Sequence, residues 1–164
     1  MPGESGGKLP AIVHVYVSPG HDYWGRQGEG RMTHGIQEME AVECVAGKGL
    51  VGDRYFGYRA DFKGQVTFID AAVVTRIREE FRLPKLPASV FRRNVVVAGL
   101  DLKAMLGRTF ELQGIVFEGA QECRPCDWMN RVVAPGTEEF MKKEFRGGLR
   151  AKILSGGILR RGEG

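Results

Sequence analysis

Short apolar runs of about 4 to 8 residues, rich in Val, Ile and Phe and separated by glycine, dominate the chain, a pattern that reads as strand rather than helix. The clearest is AIVHVYVS (11–18), where strict alternation would put Ile12, His14, Tyr16 and Ser18 on one face and Val13, Val15 and Val17 on the other. Further strands are expected at QEMEAVECV (37–45), QVTFI (65–69), RNVVVAG (93–99), TFELQ and IVFEGA (109–120), and LRAKIL and ILRRG (149–162). Gln113-Gly114 and Ser155-Gly156-Gly157 are short glycine-bearing links that predict hairpins within the last two pairs, so the chain should end in antiparallel meanders.

Helix is the minority state. DAAVVTRIREEF (70–81) opens on an Asp suited to capping and carries Ala72, Val73, Ile77 and Phe81 near helical spacing, before Pro84 and Pro87 stop it. Shorter helices are expected at 101–106, 127–133 and 137–145. Many short strands with a few helices at their ends predict a mainly β fold, a closed or nearly closed β-barrel, because closure removes exposed strand edges. No repeat or linker divides the chain, so residues 9–164 should form a single domain behind a flexible polar, glycine-rich tail at 1–8.

Composition narrows the function classes without naming one. Apolar residues make up 43% and charged residues 27%, ordinary for a folded chain. The formal charge is +4, but the basic residues are scattered, and no zinc-finger, homeodomain or RNP pattern is present, so nucleic acid is not an expected partner. No run of about 18 apolar residues could span a membrane, and the N-terminal residues lack the apolar core of a signal peptide. Three cysteines argue against a disulfide framework and for a reducing, cytoplasmic setting.

The chemistry concentrates in GAQECRPCDWMN (119–130), where Cys123 and Cys126 bracket Arg124 and Pro125. Four readings stand side by side. Zinc would need two more ligands, yet Cys44, His14, His21 and His34 form no second closely spaced pair, so no zinc is expected. A dithiol of the C-x-P-C kind would exchange disulfides, although a thioredoxin-like domain carries that motif early and needs more chain after it than follows Cys126. Two inert core cysteines fit poorly with a polar junction beside Arg124 and Asp127. Finally, one reactive thiolate could serve as a soft metal ligand or sulfur carrier, and Cys126, directly ahead of an expected helix, is the better placed.

Two other segments carry polar groups in suggestive places. GKGLVGDRYFG (47–57) is a glycine-dense loop with Asp53 and Arg54 in the middle; it lacks both the P-loop ending and the dinucleotide-binding spacing, and reads either as a turn or as a pocket rim. Arg92, Arg93 and Asn94 stand at the entry to a strand, where their donors could grip a phosphate or a heterocycle, or simply be exposed.

Taken in order, KGLVGDRYFG, FRRNVVVAGLDLKAMLGRTFEL, GAQECRPCDWMN and FRGGLRAKILSGGILRRGE resemble the MOSC domain. That module occurs at the C-terminus of molybdenum cofactor sulfurases, in the mitochondrial amidoxime-reducing component and in small stand-alone bacterial proteins. The resemblance implies a barrel like that of the pyruvate kinase β-barrel domain and a pocket for the pyranopterin molybdenum cofactor. The family's invariant cysteine, a molybdenum ligand or sulfur carrier, matches Cys126, and its Arg-x-Asn motif matches Arg92 and Asn94. Arg93 and Arg54 are the further candidates for the cofactor's phosphate, with Asp53, Cys123 and Arg124 beside them. The implied partners are a sulfur donor or acceptor protein, or an electron-transfer partner if the reaction is reduction of N-oxygenated compounds. One departure stands out: the family often has a His after Gly-Asp-Arg, and this chain has Tyr55, which cannot shuttle protons near neutrality as His can.

Overall fold

The computed structural model describes residues 10–19 and 35–162. The expected tail at 1–8, together with His21 and His34, lies outside them. The first strand, β1 (Ala11–Val17), forms where the alternation predicts it, but its pairing register slips between Ile12 and His14. A bulge adds one residue and reverses the parity of everything beyond it. Ile12 therefore joins Val15 and Val17 in one core, while Tyr16 faces another.

The run 37–45 divides into β2 (Gln37–Glu38), which pairs with β1, and β3 (Ala41–Val45), which belongs to a different sheet with the unanticipated β4 (Gly49–Leu50). Next come β5 (Val66–Asp70) and helix α1 (Ala71–Glu80), capped by the Asp70 side chain, which accepts a hydrogen bond from the Ala72 amide at 2.9 Å. Val74 and Ile77 are the buried residues of α1. The helix carries the chain over to β6 (Val95–Ala98), which lies parallel to β5, the one parallel pairing among the described strands. A 3₁₀ turn at Ala88–Phe91 precedes β6, and the expected helix at 101–106 is reduced to a 3₁₀ turn at Lys103–Met105.

β7 (Thr109–Leu112) and β8 (Ile115–Glu122) form the predicted hairpin. Its central residues Gln113 and Gly114 both have positive φ, 53° and 81°, as a two-residue type I′ turn requires. Helices α2 (Trp128–Val132) and α3 (Thr137–Lys142) follow, then β9 (Leu149–Ser155) and β10 (Gly157–Arg160). The second predicted hairpin does not form. β9 pairs with β5 and β8, whereas β10 pairs with β3, so the chain changes sheet at Gly156. A Cβ on Gly156 would sit 2.5 Å from the Cys44 carbonyl oxygen, so the crossing needs glycine.

Two open sheets result, one of seven strands in the order β2-β1-β6-β5-β9-β8-β7 and one of three in the order β10-β3-β4. The fold is mainly β as expected, but neither sheet closes among the described residues, which corrects the expectation of a barrel. The sheets are instead covered by packing. Val42, Leu50 and Leu159 of the small sheet pack with Phe68, Phe117 and Ile153 of the large one. On the other side, Ile69 and Val96 pack with Ile77, Phe91, Met129 and Met141 from the helices and the first 3₁₀ turn. Among the described residues no helix is long and apolar enough to cross a membrane.

Candidate functional site

The loop 51–57 is docked onto the end of β1. Asp53, buried, accepts at Oδ1 from the Ser18 amide at 2.9 Å and at Oδ2 from the Tyr55 amide at 3.3 Å, while the Arg54 amide donates to the Ser18 carbonyl at 2.7 Å. Asn94 completes the joint. Its Nδ2 donates to the Tyr16 carbonyl at 3.1 Å and to Asp53 Oδ1 at 3.3 Å, and its Oδ1 accepts from the amide and hydroxyl of Thr67 at 3.0 and 3.1 Å. Both amide ends of Asn94 are thus occupied in joining β1, β5 and the loop. Buried polar groups satisfied in this way fix geometry. Asp53 and Asn94 hold the wall in place from behind.

Arg92 and Arg93 sit at the junction of the 3₁₀ turn and β6. Arg92 has φ 59°, a left-handed conformation unusual for a side chain without a short polar group. Arg93 is 8% exposed. Its Nε donates to the Gly147 carbonyl at 2.9 Å and its Nη1 to the Phe91 carbonyl at 2.7 Å, but its buried Nη2 meets no acceptor among the described residues. A buried guanidinium with a donor to spare is suited to an anion.

The cysteine loop rests on the same glycine. A Cβ on Gly147 would collide with the Cys123 carbonyl oxygen, and one on Gly148 with that of Phe68. The Cys123 amide donates to the Gly148 carbonyl at 2.8 Å. The three thiols have different surroundings: Cys126 is exposed, Cys123 is buried, and Cys44 lies in the core between the sheets, its thiol pushed up to about 12 by burial. None is in a disulfide. The helix after Cys126 has five residues, too few for a substantial helix dipole. No group of three or more His, Cys, Asp or Glu suited to a metal ion occurs among the described residues.

Two cavities meet at these residues. The larger, about 340 Å³, is lined by Arg54, Arg92, Arg93, Cys123, Arg124 and Arg150, with Tyr55, Phe62, Gly64, Thr67, Gln121 and Glu122. The smaller, about 170 Å³, shares Arg54, Tyr55, Arg92 and Arg93 and adds Phe91, Cys126, Trp128 and Met129. Arg92 also lies 5.8 Å from the Trp128 ring. A third, slighter space behind them is lined by Asp53 and Asn94 together with the same three arginines. The structure thus gathers all eight candidates, with Cys123 and Cys126 on different cavities.

Arg150 was not among those candidates. Its Nη1 donates to Gln121 Oε1 at 2.5 Å, and its guanidinium lies 5.3 Å from the Phe62 ring centre. A Cβ on Gly64 would come within 2.9 Å of its Nε and Nη2, so that glycine makes room for the side chain. The alternation in LRAKIL held the signal: Leu149, Ala151 and Ile153 are buried, leaving Arg150 and Lys152 on the opposite face. Nothing local says that this face borders a cavity.

Fold and site together define a mainly β domain in which clustered arginines border a cavity beside a surface thiol. Residues 46–164 match the family model described as MOSC domain, and the chain belongs to that family. Solved structures share the fold at low identity. YuaD from Bacillus subtilis is 15% identical with a TM-score of 0.70, the match covering 94% of this chain and 93% of that one. YiiM from Geobacillus stearothermophilus is 15% identical at TM-score 0.66, covering 94% and 73%, and YiiM from Escherichia coli is 16% identical at 0.65, covering 93% and 66%. No curated protein matches the chain in sequence.

Proposed function

We propose that this MOSC domain binds the molybdenum cofactor, with Arg54, Arg92 and Arg93 gripping its phosphate and Cys126 offering a thiolate to the metal. The observation that carries the reading is that these three arginines line both the large cavity and the one lined by Cys126. The residues fit such a group: the buried Arg93 Nη2, which meets no acceptor among the described residues, suits an anionic oxygen, and about 340 Å³ falls within the usual range for small-molecule sites. When bound, the cofactor would supply a sulfur-ligated metal able to exchange sulfur or electrons. The chain's own share is to bind the phosphate, orient the group and present the thiol.

Within that reading, transfer of sulfur or cofactor to or from a protein partner is favoured over reduction of N-oxygenated compounds, since the sequence carries no motif for an electron-transfer cofactor. A working Cys123–Cys126 dithiol has less support, because one cysteine is buried and the other exposed on different cavities. The test is expression in a host that makes molybdopterin, followed by molybdenum quantification and fluorescence of the oxidised pterin. Both should be retained by the native chain, and Cys126→Ser should lose molybdenum. A folded, cofactor-exposed chain that retains neither would overturn the reading.

A further inference from the structure

The large cavity has more cationic wall than one phosphate needs, and its two ends differ. Arg93 lines the cavity of Cys126 as well, whereas Arg124 and Arg150 do not. Among the described residues none of Arg93, Arg124 and Arg150 forms an ion pair, although Glu122 lines the same cavity. Guanidinium groups crowded round a partly enclosed space repel one another, and an entering anion relieves the repulsion.

Arg150 is also braced. Gln121 holds Nη1, Phe62 lies beside the guanidinium, and Gly64 leaves space where any other residue would push it away. An arginine held on three sides loses little freedom when it binds, which favours a fork-shaped grip on an oxyanion. Arg124, exposed, stands on the same wall and can add a second charge.

We infer that Arg150, with Arg124 and Gln121, forms a second anion subsite, distinct from the one that holds the cofactor phosphate, and that it receives a carboxylate, phosphate or sulfur oxyanion carried by the molecule on which the domain acts. This rests on the cofactor reading only in assigning Arg54, Arg92 and Arg93 to the other anion. The molecule on which the domain acts accordingly presents an anionic group to this wall.

Calorimetric titration of inorganic phosphate and of acetate into the cofactor-loaded chain tests this. At least one of the two should bind, and Arg150→Gln should weaken it about tenfold, the loss expected for one charge-assisted contact, while molybdenum and pterin content stay unchanged. Gln121→Ala, which removes the brace but keeps the charge, should give a smaller loss and serves if Arg150→Gln does not fold. Absence of binding by either anion, or binding indifferent to both substitutions, overturns the inference and leaves the cofactor reading intact. If the chain retains no cofactor, that reading fails by itself. The cofactor-free chain should then bind two phosphates, reduced to one in Arg150→Gln; one phosphate, or two in both proteins, overturns the subsite.

Discussion

Arg93 and Gly147 are joined across 54 residues of chain by a 2.9 Å hydrogen bond from Nε to the glycine carbonyl. The guanidinium also holds the Phe91 carbonyl, so a single side chain ties the entry of β6 to the segment beneath the cysteine loop. Replacing Arg93 by Met should strand two carbonyls and cost about 3 kcal/mol in urea unfolding. Arg93→Lys keeps the charge but cannot span both acceptors, and its loss should be intermediate.

Glycine substitutions separate steric from conformational demands. At Gly147 an added Cβ meets the Cys123 carbonyl, whereas at Gly107, with φ 77°, it meets nothing within 4 Å. Gly107→Ala should therefore cost about 1 kcal/mol, from the left-handed backbone alone. Gly147→Ala should exceed that and should also alter the alkylation rate of Cys126, because the loop must move. Equal effects of the two on stability, with thiol reactivity unchanged in both, would contradict this account.

Thiol labelling reads the burial pattern directly. With iodoacetamide under native conditions, mass spectrometry should find Cys126 modified first and Cys123 much later, while Cys44 resists until the protein unfolds. Burial and a thiol pushed up to about 12 both protect Cys44.

Acid and alkali should both weaken the fold at one cross-strand pair, Tyr16 on β1 opposite Glu38 on β2. Burial alone would raise the Glu38 carboxyl, but hydrogen bonds from His14 and Arg161, both at 2.6 Å, outweigh it and hold it below the ordinary value. Its contribution is thus present above the ordinary carboxylate pKa of about 4.3 and is lost as pH falls through the lower folded value. Tyr16 is pushed up to about 12, first by burial and then by Glu38, so its contribution is full below about 10 and fades as pH rises through the folded value. Glu38→Gln should flatten the acid limb of a stability–pH curve, and Tyr16→Phe the alkaline limb; unchanged limbs would refute the assignment.

Local features were legible in the sequence because their causes are local. Asp70 caps α1, and Gln113-Gly114 turns a hairpin, since each acts within a few residues of itself. Sheet membership was not, because it depends on which distant strand a segment meets: nothing in ILRRG announces that it pairs with β3 rather than β9. The face assignment along β1 failed for Ile12 for a related reason, since the bulge after it is set by pairing with β6. At the site, Arg54, Arg92, Arg93 and Cys126 stood out by residue type and motif. Arg150 did not, because an arginine alternating with apolar neighbours is the ordinary outer face of a strand.

The glycines beneath the cysteine loop bear on how the protein is made. Cys123 and Cys126 leave the ribosome before Gly147, Gly148 and Arg150, yet the loop rests on the first two and the cavity wall includes the third. A nascent chain that has reached α3 possesses its thiols and most of its arginines but not the floor that arranges them. The site is assembled by β9, so loading with any ligand must await nearly the whole domain.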